Sequence, residues 1–238
     1  MAIQPDVGSV VDKYARALRA PRLLFDLYPN PRPPGKPHLR YQPIPAGVVM
    51  AVVGSFEGFA EDLLALALYR QGHGWAHIAQ NSDLTNPSVG DLAKRLTDTV
   101  GVNATPPNNW AVKLPKQHGI NGWNPAKAEG WTEVLRRSEG WVQVRHCLAH
   151  GLVAGLGSEV WPGPASKKNL ANQAALTTAS DVLARSSIKA PAERGLYMWP
   201  AVDCARVFTH GAAHLAERTG SLLGDAVDAS VLLTFDNI

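Results

Sequence analysis

The sequence predicts an all-α fold: an antiparallel helical bundle of four to six helices, with room for a small β-hairpin after its central motif. Three observations lead there. Apolar residues recur every three or four positions through long stretches, as in Val49, Val52, Val53, Phe56, Phe59, Ala60, Leu63 and Leu64, which gathers them on one helix face. Glycines and Asn-Pro pairs stand at the ends of those stretches, where helices stop and start. The 238 residues, 45% hydrophobic and 18% charged, suffice for one domain with a proper core, spanning 1–238.

Residues 5 to 28 read as a first helix broken at Pro21. Val7, Val10, Val11, Tyr14 and Leu18 form its apolar stripe, and Asp12, Lys13 and Arg16 face away. Residues 29 to 45 hold seven prolines, which no regular helix or central strand tolerates, so the segment reads as an extended proline-rich loop. Its Arg32, Lys36, His38, Arg40 and Tyr41 suit either a basic-aromatic arm for a single-stranded nucleic acid or a solvated connector, the blander reading.

Residues 46 to 71 form the clearest helix. Its Glu57 and Glu61 stand four apart and project from one side, as partners for a nearby arginine rather than as proton carriers. Gly72-His73-Gly74 ends that helix, and the glycines are expected to keep His73 and His77 off a shared face. Asn86-Pro87 reads as an N-cap followed by a first-turn proline. Val89, Leu92, Leu96 and Val100 then carry a helix to Gly101.

Residues 102 to 123 read as a loop tacked to the core by Trp110 and Trp123, with Lys113 and Lys116 as candidate substrate contacts. Asn124-Pro125 caps a helix with Trp131, Val134, Leu135, Trp141, Val144 and Leu148 inward. Gly130 and Gly140 in it signal a kink or a close approach. Residues 152 to 195 read as an irregular insertion, where 165–186 suits a helix and 176–180 equally a short strand. Pro200 opens the last long helix and Gly224 closes it.

The net charge of +3 and pI near 8.9 are mildly basic, compatible with a nucleic-acid partner without requiring one. Two cysteines, Cys147 and Cys204, form no CxxC and no disulfide framework, which fits a reduced, cytoplasmic setting. No basic-then-apolar leader opens the chain. The longest apolar run, Ile44 to Phe56, is too short and too glycine-interrupted to span a bilayer, so no membrane association is expected.

The chemistry concentrates in Trp141-Val-Gln-Val-Arg145-His146-Cys-Leu-Ala-His150-Gly151. Gly151 stands where a helix would stop, so one cation and two imidazoles occupy the last turns, where the helix dipole favours positive charge. Arginine grips phosphate oxygens in a fork, and histidine moves protons near neutral pH. Arg145 and His150, five apart, diverge by about 140° around a helix, whereas His146 and His150 share a face. Cys147 between them reads as a small buried residue.

Metal chemistry is a competing reading, since His73/His77, His146/His150 and His210/His214 are all H-x-x-x-H pairs. None has the glutamate of H-E-x-x-H; the second position is Gly74, Cys147 or Gly211. His210 and His214 fit surface or interhelix hydrogen bonding instead. No Walker loop or dinucleotide fingerprint is present.

The motif stretch resembles the R-x4-6-H signature of the HEPN superfamily, whose fuller form R-[N/D/H]-x-x-A-H-G is matched by Arg145, His146, Ala149, His150 and Gly151. Val53-Gly-Ser-Phe-Glu57-Gly-Phe-Ala-Glu61-Asp-Leu-Leu64 is similar to the acidic-aromatic helix of the RiboL-PSP branch, and His118-Gly-Ile-Asn-Gly-Trp123 to that branch's connector. The resemblance covers residues 46 to 151 and, more loosely, the last helix.

The resemblance implies a HEPN-type endoribonuclease. It would cleave RNA without metal or cofactor, through 2′-hydroxyl attack to a 2′,3′-cyclic phosphate, from a homodimer with facing motifs. It further implies a toxin or antiphage-defence role, with an antitoxin or other regulator as partner. Arg145 would clamp phosphate, His150 would transfer protons, and His146, in place of the commoner asparagine, would assist. Glu57 and Glu61 would support them, and Arg32, Lys36, Arg40, Lys113 and Lys116 are candidate RNA contacts. The nucleotidyltransferase-linked subgroup carries a tyrosine two after the motif histidine; here that residue is Leu152, so tyrosine adenylylation is not expected. The alternatives are a HEPN-shaped module that binds RNA or protein without cutting, and a metal-dependent hydrolase.

Overall fold

A computed structural model describes residues 5–28, 41, 43–115, 127–155, 158–162, 177–183 and 193–237. The fold is all-α, with two small antiparallel strand pairs. Helix α1 (Val7–Ala17) starts on Asp6, whose carboxylate accepts the Ser9 amide at 2.8 Å, satisfying an otherwise orphaned donor. It is followed by α2 (Arg19–Asp26). The break falls at Leu18, not at the expected Pro21. Pro21 has no N–H to give to the carbonyl of Ala17, so the first ladder ends there, and the proline sits in the opening turn of α2, where no donor is missed.

The same physics corrects the proline loop. Helix α3 (Pro43–Arg70) begins three residues earlier than the periodicity suggests, with Pro43 and Pro45 in a first turn that needs no intrahelical N–H. Pro29, Pro31, Pro33, Pro34 and Pro37, with Arg32, Lys36, His38 and Arg40, lie outside the described residues.

Helix α3 is 28 residues long and, by length and composition, apolar enough to cross a membrane. In the fold it is the central helix, packed by α1, α2, α4 (Trp75–Ser82), α6 (Trp131–Ala149) and α8 (Met198–Leu223). Phe56 meets Phe208 of α8 at 4.9 Å between ring centroids, and Tyr14 meets Phe59 at 4.8 Å. Helix α5 (Val89–Arg95) runs into a π turn, Leu96–Val100, that ends at left-handed Gly101.

Helices α4, α5 and α7 (Ala179–Leu183) are eight, seven and five residues long. Such short pieces leave little periodic signal, and they raise the helix number above the expected four to six. The stretch 176–180 does not form a strand where it is described: the Thr178 amide and hydroxyl donate to Asp181 at 2.7 and 2.9 Å, a turn that starts α7. Strands β3 (Ser158–Val160) and β4 (Glu193–Gly195) pair after the motif helix, as the sequence allows. A second pair was not expected. Within the stretch that reads as a loop, β1 (Val112–Leu114) pairs with β2 (Lys127–Glu129), which lies where a helix opened by Asn124-Pro125 is expected; the helix starts instead at Trp131, after Gly130, and three residues are too few for a period-2 pattern to register.

Two glycines mark tight packing. At Gly140 of α6 an added Cβ would lie 2.5 Å from a Val182 methyl of α7, and at Gly211 of α8 2.7 Å from Val89. Of the two expectations for Gly140, the close approach is the one realised. Pro200 lies in the first turn of α8, and Gly224 caps that helix with φ +77°.

Candidate functional site

The site is built on the last turns of α6. That helix is fixed in rotation by buried polar groups one and two turns before the motif. The Trp141 indole N–H donates to Asp203 of α8 at 2.9 Å, and the Arg137 guanidinium donates to the same carboxylate and, at 2.8 Å, to Glu133. Burial pushes the Asp203 carboxyl up, opposed by Arg137 and Trp141. The hydrogen bond from Arg136, with Arg137 nearby, pulls Glu133 down to about 2. The Ser138 hydroxyl accepts the Val89 amide at 3.1 Å and donates to the Leu135 carbonyl. It thereby ties the start of α5, and the loop leading into it, to the motif helix.

One turn beyond Trp141, Arg145 turns toward α3 and that loop. Its Nη1 donates to Asn86 Oδ1, and its Nη2 to Glu57 Oε2 at 3.4 Å. The other Glu57 oxygen accepts the Asn86 amide at 2.9 Å. Three segments distant in the chain thus close into one ring. The Arg145 side chain keeps 22% of its exposure. Its Nε–H is enclosed and meets no acceptor among the described residues.

His146 and His150 stack loosely, with ring centroids 4.3 Å apart. Burial, then His150 and Arg145, lower the His146 pKa from its ordinary 6.5. His150 caps the helix and is exposed. The end is closed by the Leu152 amide to the Cys147 carbonyl at 2.9 Å and the Gly151 amide to Leu148 at 3.2 Å. Gly151 takes φ +62°, the left-handed turn that this double closure requires. Cys147 is buried and its thiol pushed up by burial.

Arg145 thus meets Glu57 and Asn86, His146 meets His150, and the Arg145 charge acts on His146. Glu61 does not join them. Its carboxyl is raised by burial and by the nearby carboxylates of Glu57, Asp83 and Asp62, with Lys13 opposing. Lys113 is exposed on β1, which packs on α8, and Lys116 lies outside the described residues. Asn124, Pro125 and 118–123 also lie outside them.

The other histidine pairs part company with expectation in one case. His73 and His77 do meet, stacked at 4.3 Å, although His73 lies just ahead of α4 rather than on it. His210 sits on the Asp236 carboxylate at 2.9 Å, and His214, buried, donates to the Ala104 carbonyl. Among the described residues no three His, Cys, Asp or Glu side chains gather as a metal would need.

Sequence reasoning missed Asn86 as a site residue and took it for a helix cap. The cap is Ser88, whose hydroxyl accepts the Asp91 amide at 3.0 Å while Asp91 accepts the Ser88 amide at 2.9 Å. The Ser-x-x-Asp spacing of Ser88 and Asp91 is a readable capping-box signal. Comparisons of the chain with protein families, with characterised proteins and with solved structures return no match.

Proposed function

We propose that the protein is a HEPN-type endoribonuclease that cuts RNA without a metal, through the ribose 2′-hydroxyl. The observation that carries this reading is the set on the last turns of α6: a guanidinium held by Glu57 and Asn86, and two imidazoles that meet at 4.3 Å, the second of them exposed. RNA supplies its own nucleophile, so a protein need only move two protons and stabilise charge on the phosphate. Arg145 holds the non-bridging oxygens. His146, its pKa lowered, is suited to accept the 2′-hydroxyl proton as that oxygen bonds to phosphorus. His150 gives a proton to the departing 5′-oxygen, leaving a 2′,3′-cyclic phosphate. A second copy of the chain, with its motif opposite, forms the far wall of the groove. The resemblance adds a growth-arresting toxin or defence role, under an antitoxin or other regulator.

The test is incubation of purified protein with total RNA in EDTA. Fragments ending in 2′,3′-cyclic phosphate are expected, and Arg145→Ala or His150→Ala should each reduce their formation by about 10²–10⁴-fold. RNA bound but left intact would make the protein a binding module. Cleavage stopped by EDTA, with zinc on the protein, would make it a metal-dependent hydrolase.

A further inference from the structure

We propose that Asn86 is a positioning residue that aims the Arg145 guanidinium, and that the strained turn carrying it exists for this purpose. This rests on the reading of Arg145 as the phosphate clamp. Asn86 is the only non-glycine among the described residues with a positive φ, +52°, and Pro87 behind it narrows its choices further. Asparagine tolerates the left-handed region better than most residues, but glycine occupies it freely. If the chain needed only the turn, glycine would serve. The side chain is what glycine lacks, and its carbonyl oxygen accepts from Arg145 Nη1.

The turn is over-determined from both sides, as a strained functional position must be. Its own amide donates to Glu57 Oε1 at 2.9 Å. Ser88 is locked by its capping box with Asp91, and the Val89 amide is held by Ser138 of the motif helix at 3.1 Å. The carbonyl of Asn86 is neutral, so it orients the cation without cancelling its charge. Glu57 takes the other terminal nitrogen at the looser 3.4 Å. One proton on each terminal nitrogen is thereby committed to the protein. The second proton on each remains for two phosphate oxygens, in the paired geometry that arginine offers.

The test compares Asn86→Gly and Asn86→Asp with the wild type by three readouts: melting temperature, cleavage of an RNA oligonucleotide in EDTA, and the NMR order parameter of the Arg145 side-chain nitrogens. Asn86→Gly should melt no lower than wild type, because it keeps the turn. It should lose about ten- to a hundred-fold in kcat, the loss of one hydrogen bond to a charged group, and Arg145 should become mobile. Asn86→Asp keeps both acceptor and turn, so Arg145 should stay ordered and several-fold of the lost rate should return. The inference is overturned if Asn86→Gly leaves Arg145 ordered and the rate intact, or if rate falls only in step with melting temperature in both variants. A wild type that cuts no RNA, with Arg145 mobile in Asn86→Gly alone, would refute the nuclease reading and leave the positioning role standing. A wild type that cuts, is silenced by Arg145→Ala and is indifferent to Asn86→Gly would do the reverse.

Discussion

Glu57 divides its two oxygens between a backbone amide and a guanidinium, so one carboxylate both shapes the 84–88 loop and offsets the charge of Arg145. Replacing it with glutamine removes the charge; the single carboxamide oxygen can still accept the Asn86 amide, but the NH2 cannot accept from Arg145, so that contact is lost. Glu57→Gln should bind a labelled RNA more tightly at low salt, and the slope of log affinity against log salt should steepen by nearly one unit; anisotropy titrations would read both. An unchanged slope would mean that Arg145 does not meet phosphate.

The neighbouring His146 gives a pH prediction with a definite sign. Its pKa is lowered in the folded state by burial, His150 and Arg145, so the unfolded chain takes up this proton at a higher pH than the native one. The stability it contributes is therefore complete above about 6.5 and is lost as pH falls through the folded pKa. Proton acceptance fails over the same window. An NMR titration should place the His146 midpoint under 6.5, and His150→Asn should move it upward.

The motif helix can be displaced only where its neighbours leave room. Gly140→Ala would put a methyl 2.5 Å from Val182 and 3.1 Å from the Thr178 carbonyl. It should destabilise the protein by about 1–3 kcal/mol. Gly54, on the open face of α3 with nothing within 4 Å, should behave oppositely: Gly54→Ala is expected to stabilise by about 0.5–1 kcal/mol through chain entropy alone. Thermal or denaturant melting of the two variants checks both signs.

The long helices α3, α6 and α8 and the terminators Gly72, Gly101, Gly151 and Gly224 were legible in the sequence, because a sustained period and a left-handed stop are local signals. The helix starts at Pro21 and Pro43 were not, although that at Pro200 was. A proline reads as a breaker, and only the register of the missing N–H says that it opens the next turn. The pairing of His146 with His150 on one helix face was legible for the same local reason. The choice of Glu57 over Glu61, and the part played by Asn86, were not, since those contacts join residues 88 and 59 positions apart.

Across the molecule, α6 and α8 are joined by a buried ion pair, Arg137 with Asp203, exposed by only 8% and 2%. Asp203→Ala would leave Arg137 to Glu133 and, at 3.6 Å, Glu129, and would strand the Trp141 indole N–H in the interior. A loss of about 1–3 kcal/mol in urea unfolding is expected, and a loss under about 1 kcal/mol would show the pair to be dispensable. The Glu133 carboxylate beside it, drawn from 4.5 to about 2, contributes stability above pH 4.5 that fades only as pH falls toward 2.

That ion pair has a consequence during translation. Every group assigned to RNA cleavage has been synthesised by His150, yet a residue that sets the rotation of their helix, Asp203, comes about fifty codons later. A ribosome-bound chain ending before Met198 is expected to carry the whole motif and leave the surrounding RNA uncut. Cleavage by such stalled chains would show that the nascent motif arms itself without its last partner.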